Sequence, residues 1–124
     1  MHYSKLRISK DATSRLRSIK QRTHITPNLL CRYALMQSLE EGPLGDIPLP
    51  DQEGQEFNAY TLTGELTELL LALVRSVEER ANEQVLSDEA LMALVRGHIH
   101  RGVGSLSVRA KSPSDLVMLA TQAP

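Results

Sequence analysis

The sequence feature that most constrains this fold is a helix-length segment that is apolar on almost every side. The pair Thr26-Pro27 begins it, with threonine suited to the N-cap position and proline to the first helical position. In the run LLCRYALMQSL (29–39), apolar side chains point in all directions around a helix axis. Such a helix must be covered on all sides by other parts of a protein.

Two kinds of neighbour can cover this helix. Later helices of the same chain could cover it, or a second copy of the chain could. We favour a second copy, because one short chain can hardly surround a helix. We therefore predict a homo-oligomer. The predicted interface consists of the larger apolar side chains of this helix: Leu29, Leu30, Tyr33, Leu35, Met36 and Leu39. Cys31 is predicted to be a packed thiol, since only Arg32 lies near enough in sequence to lower its pKa.

The net charge of −1 conceals a strong asymmetry along the chain. Residues 1–36 hold eight Lys or Arg and one Asp, a net charge of +7. Residues 37–95 hold two Arg and thirteen acids, a net charge of −11, while residues 96–124 hold four Lys or Arg and one Asp, a net charge of +3. A concentrated basic block predicts a polyanionic partner, and nucleic acid is the obvious one. The acidic middle would either keep an assembly in solution or dock a protein partner.

A basic helix is predicted from Asp11, a good N-cap residue, to about Thr23. Its apolar positions, Ala12, Leu16, Ile19 and Thr23, fall on one narrow stripe. The other sides carry four cations and no acid, whereas a helix that is merely solvated usually mixes the two signs. We predict that DNA phosphates bind this surface and the basic segment before it, through Lys5, Arg7, Lys10, Arg15, Arg17, Lys20 and Arg22.

Residues 4–8 alternate between polar and apolar side chains, a pattern typical of a two-faced strand. So short a strand needs a partner, and a second subunit is the simplest source of one. The alternative is an extended arm whose Leu6 and Ile8 rest on the core.

The rest of the chain is predicted to be a loop followed by helices. Residues 42–55 hold three prolines and three glycines, a composition typical of a loop. Apolar spacing predicts a helix over 66–81, and Ser87-Asp88 is suited to cap the next one, although glycines at 97, 102 and 104 weaken its second half. A last short helix follows Ser112-Pro113, with Leu119 on its apolar face. Phe57 is expected to fill a corner between elements.

These elements predict a mainly α fold in a single domain spanning residues 1–124. Residues 1–41 form its basic helical part, which binds DNA and makes the oligomer. Residues 42–55 form the loop, and residues 56–124 form the helical C-terminal part.

No pattern in the sequence predicts catalysis, a metal site or a cofactor. His98 and His100 lie two residues apart and so face opposite ways on a helix, and no phosphate-binding loop or nucleophile motif is present. The N-terminus lacks the apolar run of a signal peptide, the apolar run at 69–74 is far too short for a membrane span, and there is one cysteine. We expect a cytoplasmic protein with no membrane partner.

Three segments carry a resemblance to a known family. They are SRLRSIKQRTHITPNLLCRYALMQSLEE (14–41), GQEFNAYTLTGE (54–65) and HIHRGVGSL (98–106), within which TPNLLCR (26–32) and EFNAYT (56–61) are the most specific. In this order the chain resembles the DndE family of DNA phosphorothioation, or sulfur-modification, proteins. That family usually has glycine where this chain has His24, so a left-handed backbone is expected there.

The resemblance implies a ribbon-helix-helix-like N-terminal part and a tetramer. It also implies a role in the bacterial system that replaces a non-bridging phosphate oxygen of DNA with sulfur. In that system a cysteine desulfurase and an iron–sulfur protein do the sulfur chemistry, and the DndE protein binds duplex DNA, preferring nicked duplex, without catalysing the transfer. Other proteins of the system are possible partners.

The sequence leaves two other functions open. A ribbon-helix-helix repressor would read bases through Lys5 and Arg7 on a paired strand and would prefer one operator sequence. An adaptor would dock a modification enzyme through the acidic middle of the chain.

Overall fold

A computed structural model describes the backbone of residues 3–121 and the side chains of residues 3–118. Among these residues the elements are β1 (Lys5–Arg7), α1 (Lys10–Thr23), α2 (Pro27–Glu40), β2 (Glu56–Asn58), α3 (Ala59–Leu62), a 3-10 turn (Gly64–Leu66), α4 (Thr67–Asn82), α5 (Asp88–Arg109) and α6 (Pro113–Thr121). The prediction of a mainly α fold is confirmed. The predicted domain ends, residues 1–2 and 122–124, and the side chain of Leu119 lie outside the described residues.

Helix α1 begins at a different cap from the predicted one. Ser9, not Asp11, is the N-cap: its hydroxyl accepts a hydrogen bond from Ala12 N at 3.0 Å. A second acceptor comes from the distant loop, where Asp51 Oδ1 accepts from Lys10 N at 2.9 Å. The backbone N–H groups of Lys10 and Glu53 hold the pKa of Asp51 below its usual value, so its carboxylate stays charged. The prediction was wrong because serine and aspartate are comparable N-cap residues, and the helix begins after Ser9, which leaves Asp11 in its first turn.

The short basic strand has its partner within the chain. Strand β1 pairs antiparallel with β2, and Leu6 lies opposite Phe57. Both of these side chains are buried, at 3% and 5% exposure. The expected pairing with a second subunit is therefore replaced by pairing with residues 56–58, which lie in the part predicted to be helical. A three-residue strand gives too weak a sequence pattern to reveal this.

The long helix α5 is the centre of the core, and α2 and α1 pack along it. The glycines that weakened its prediction do not interrupt it, because it runs unbroken to Arg109. Gly102 lies against the backbone of Ala34, where any side chain would collide with the carbonyl group of α2. This glycine permits two helices to pack closely and is not a break in one of them.

Two residues of the first helices have the environments that the sequence predicts. Cys31 is fully buried, and burial raises the pKa of its thiol to about 12. His24 ends α1 in the left-handed region with φ 62°, and its N–H donates to Lys20 O at 2.7 Å. Within residues 3–121, no helix combines the length and the apolar character needed to cross a membrane.

Candidate nucleic-acid interface

The basic surface predicted from the sequence is carried mainly by α1. Its apolar stripe is buried in the core, so the opposite side of the helix faces solvent. The five cations of α1 do not form one continuous patch. A spacing of 100° per residue puts Lys10, Arg17 and Lys20 on one side of the exposed surface and Arg15 and Arg22 on the other.

Lys10, Arg17 and Lys20, which we call the outer cations, are the accessible group. All three are exposed, and within the described part of the chain no ion pair engages their side chains. Lys10 and Arg17 line a cleft of about 440 Å³, together with Thr13, Ser14 and residues 53–55. An anion can therefore approach these cations without displacing an internal partner, except near Glu53 on the wall of the cleft.

The two cations of β1 share one internal carboxylate. Glu56 Oε2 lies 3.8 Å from Lys5 Nζ, and Glu56 Oε1 lies 3.4 Å from Arg7 Nη2. Arg7 Nη1 also donates to Gly54 O at 2.9 Å. All three side chains are at least two-fifths exposed, so these pairs are weak, but the carboxylate still balances part of the charge of Lys5 and Arg7.

The second group of α1 cations is bound to the end of α5. Arg15 Nη1 donates to Ser107 Oγ at 2.7 Å, and its Nε lies 2.8 Å from the carboxylate of Asp11. Arg22 Nη2 donates to Ser107 O at 3.1 Å. Carbonyl groups in the last turn of a helix lack partners within the helix, so Arg22 satisfies one of them. Of the seven predicted phosphate ligands, three thus lie on one side of α1 and form no ion pair with another side chain among the described residues.

Within the described part of the chain, the apolar helix α2 is buried on one side and more exposed on the other. Leu30 and Leu35, predicted to lie in a subunit interface, are 1% and 2% exposed within the single chain, so they belong to its core instead. The opposite side leaves Leu29 and Met36 exposed, at 48% and 41%. Tyr33 and Leu39, on the same side, are half-buried. The sequence could not separate the two sides because both are apolar.

Comparison with known proteins now decides the family. A family model described as "DNA sulphur modification protein DndE" matches residues 5–114. The chain belongs to the DndE family. Members of this family act in DNA phosphorothioation. A comparison with curated protein sequences found no match.

Solved DndE structures share the fold. The crystal structure of DndE from Escherichia coli B7A, involved in DNA phosphorothioation modification, has 21% sequence identity and a TM-score of 0.72, and the match covers 86% of this chain and all of that one. A DndE mutant involved in DNA phosphorothioation has 22% identity and a TM-score of 0.71, with coverage of 86% and 99%. At this identity the likeness is one of fold.

Behind the surface of this DndE-family chain lies a buried polar network that joins α2, α4 and α5. His98 Nε2 lies 2.7 Å from Glu78 Oε2, and His98 Nδ1 lies 2.8 Å from Ser38 Oγ. Arg101 Nε donates to Ser38 Oγ at 2.8 Å, so the Ser38 hydroxyl is free to donate to Nδ1. Leu44 N donates to Glu78 Oε2 at 3.0 Å. A neutral imidazole with its proton on Nε2 satisfies every one of these contacts.

Ser38, His98 and Glu78 resemble the groups of a hydrolytic triad only in their types. Ser38 and His98 are 0% exposed and Glu78 is 2% exposed, so a substrate carbonyl has no route to the hydroxyl. His100 faces a different neighbour, Ser9, at 2.7 Å. Among the described residues no three His, Cys, Asp or Glu side chains come close enough together to hold a metal ion.

The buried histidine predicts that acid weakens the fold. Burial lowers the pKa of His98 below its usual value, Arg101 acts in the same direction, and Glu78 and Glu41 oppose it less strongly. The unfolded chain takes up this proton near pH about 6.5, whereas the folded chain resists it. The free energy of unfolding should therefore fall as pH drops below about 6.5. Urea unfolding at pH 7.5 and 5.5 measures this, and His98→Gln should show a smaller fall; equal falls would contradict the assignment.

Sequence reasoning missed Arg101 and Glu56, both of which shape the surface. Arg101 Nη2 donates to Ser38 O and Gly42 O, both at 2.6 Å, and its Nη1 donates to Pro43 O at 3.2 Å. It thereby ends α2 and fixes the start of the loop. Both residues lie within segments that carry the family resemblance, 54–65 and 98–106. No local pattern shows their contacts, because their partners are far away in sequence. The alternating cations of β1 are the sequence signal that could have indicated an acid, here Glu56, on its paired strand.

Proposed function

We propose that this chain is a DNA-binding component of the phosphorothioation system, one that contacts the phosphate backbone and leaves the sulfur chemistry to other proteins. The observation that carries the proposal is the set of outer cations, which are exposed on one side of α1 and form no ion pair within the part of the chain that the structure describes. Lys10 and Arg17 are about 10 Å apart along the helix axis. That distance is close to the rise of three nucleotides along the axis of a DNA duplex, at about 3.4 Å each.

Backbone contacts of this kind position a protein and do not read sequence. The proposed partners are therefore intact and nicked duplexes of any sequence, with Lys5, Arg7, Arg15 and Arg22 adding charge around the outer cations. A repressor that reads bases through Lys5 and Arg7 is less favoured, because β1 pairs with β2 of its own chain and Glu56 faces both cations. A sharp preference for one operator sequence would revive that alternative.

The exposed side of α2 supports the proposal of a homo-oligomer, for which we infer a tetramer. Leu29, Tyr33, Met36 and Leu39 form an apolar stripe that the chain itself covers only in part, because Tyr33 Oη donates to Leu116 O of α6 at 3.1 Å. Copies joined through this stripe would present several basic helices together. Light scattering on the purified protein gives the number of copies.

The double substitution Arg17→Ala with Lys20→Ala tests the surface directly. We expect DNA affinity at low ionic strength to fall about tenfold, since two charged contacts to phosphate are lost. The free energy of unfolding should change by less than about 0.5 kcal/mol, because both side chains are exposed. Fluorescence anisotropy on a labelled duplex and urea unfolding measure the two effects.

A control removes a cation from another part of the surface. Arg80→Ala takes an exposed cation from the last turn of α4, a helix that packs on α5 and α2. Its affinity should stay within about twofold of the wild type, since this charge is not on the basic side of α1. If Arg80→Ala and the Arg17→Ala/Lys20→Ala variant bind DNA equally well, the outer cations are not the DNA site.

A further inference from the structure

The segment 51–56 places three acidic residues against the basic surface. Asp51 accepts from the first N–H group of α1, Glu53 lines the cleft beside Lys10 and Arg17, and Glu56 faces Lys5 and Arg7. These acids come from the acidic part of the chain and lie next to its most basic part. The positions that DNA phosphates would take are thus bordered by carboxylates of the protein itself.

Hydrogen bonds attach the backbone of this segment to Ile8 and to helix α1. Gly54 N donates to Ile8 O at 2.9 Å, and Ile8 N donates to Gln55 O at 3.0 Å. Gln55 N donates to Thr13 Oγ1 at 2.8 Å. At Gly54 a side chain would collide with Ser9 O and Thr13 Oγ1, so the backbone here approaches α1 as closely as only glycine permits. The backbone that carries these carboxylates therefore keeps a fixed position relative to α1.

We propose that Glu56 acts as an internal counter-ion of Lys5 and Arg7, that Glu53 repels phosphates from the cleft beside Lys10 and Arg17, and that the two carboxylates together limit the affinity of this surface for DNA. The inference rests on the proposed DNA-binding function. When a phosphate approaches, Glu56 repels it and holds back two cations that would otherwise bind it. The consequence is a surface that responds to the dense charge of a duplex and binds isolated anions weakly.

The test is the double substitution Glu53→Gln with Glu56→Gln, which removes both charges and keeps the shapes of the side chains. Asp51 stays unchanged because it caps α1. A unit charge about 6 Å from a phosphate in water changes affinity roughly threefold. The double variant should therefore bind a closed circular duplex about tenfold more tightly at low ionic strength, by fluorescence competition.

The control must separate local competition from total charge. Asp46→Asn with Glu65→Gln removes the same charge from exposed positions away from the basic surface. A gain in the Glu53/Glu56 variant that is at least threefold larger than the gain in the control supports the proposal. Equal gains in the two variants overturn it, since total charge alone would then explain the effect.

A third arm places the competition on particular cations. In a variant that also carries Lys5→Gln and Arg7→Gln, the gain from Glu56→Gln should be smaller, because only the direct repulsion of phosphate by Glu56 is then relieved. A gain as large as that in the parent overturns the role of Glu56 as a counter-ion of Lys5 and Arg7. Failure of the proposed function looks different. In that case neither the wild type nor any acid-to-amide variant binds duplex DNA at low ionic strength, whereas failure of this inference leaves wild-type binding intact.

Discussion

The substitution Gly102→Ala should destabilise the protein more than a glycine-to-alanine substitution elsewhere in its helices. The new Cβ would lie against the carbonyl group of Ala34, a backbone group that no rotamer change can move aside. Helices α2 and α5 would have to separate along the main contact of the core. Overpacking of a core costs about 1–3 kcal/mol when side chains can adjust, and here they cannot. We expect a loss of about 4 kcal/mol or more, seen as a lower urea midpoint or failure to fold.

Gly104→Ala is the matched control on the same helix. A Cβ at this position meets nothing within 4 Å. Alanine is favoured over glycine inside a helix by about 0.8–1 kcal/mol, so this variant should be slightly more stable than the wild type. If the two variants have the same urea midpoint, the close approach of α2 and α5 is wrong.

Removal of the Glu78 carboxylate is the second change with a large expected effect. Glu78→Ala leaves His98 Nε2 and Leu44 N as buried donors without their acceptor and opens a gap beside α5. A buried donor left without its acceptor costs about 1–3 kcal/mol, so the loss of the acceptor for both donors should cost about 2–6 kcal/mol. We expect a loss of this size in urea unfolding, together with looser attachment of the loop at Leu44. Hydrogen exchange at Leu44 N would report the second effect.

Glu68→Ala, on the exposed side of the same helix, gives the baseline for losing an acid from α4. Its cost should stay within about 0.5 kcal/mol. A comparable loss in Glu68→Ala and Glu78→Ala would mean that the buried network contributes nothing beyond ordinary helix propensity.

Local patterns in the sequence were enough to place most helices. The stripe of Ala12, Leu16, Ile19 and Thr23 is buried as predicted, and Ser87 caps α5 through a hydrogen bond from Ala90 N. These features depend on residues three or four positions apart, which a single sequence displays directly. The left-handed end of α1 at His24, in contrast, was expected from the family resemblance.

Contacts between distant residues were beyond the reach of sequence patterns. Three contacts join residues more than forty positions apart. They are the pairing of β1 with β2, the hydrogen bond from Lys10 N to Asp51, and the hydrogen bond from Arg101 to Ser38 O at the end of α2. The helix α2 shows a different limit. Because it is apolar on all sides, its sequence could not tell that Leu30 and Leu35 face the core while Leu29 and Met36 face outward.

The sequence predicted the candidate site as a set of cations, and the structure shows which internal partners each of these cations has. All seven cations lie at or near the surface, but their partners differ: Glu56 holds two, the end of α5 holds two, and the remaining three are accessible. Composition can predict that a basic segment binds an anion, whereas only the folded chain shows which of its cations are already paired within the protein.

The central claim is that the outer cations bind the phosphate backbone of DNA, and a salt titration tests it most directly. Affinity for a closed circular duplex would be measured between about 50 and 200 mM salt, where the binding of backbone-contacting proteins changes steeply. If about four to six phosphates are neutralised per site, the plot of log affinity against log salt should have a slope of roughly −4 to −5. The Arg17→Ala/Lys20→Ala variant should have a shallower slope, by about 2. A flat plot for the wild type, or no binding at the lowest salt, would contradict the account.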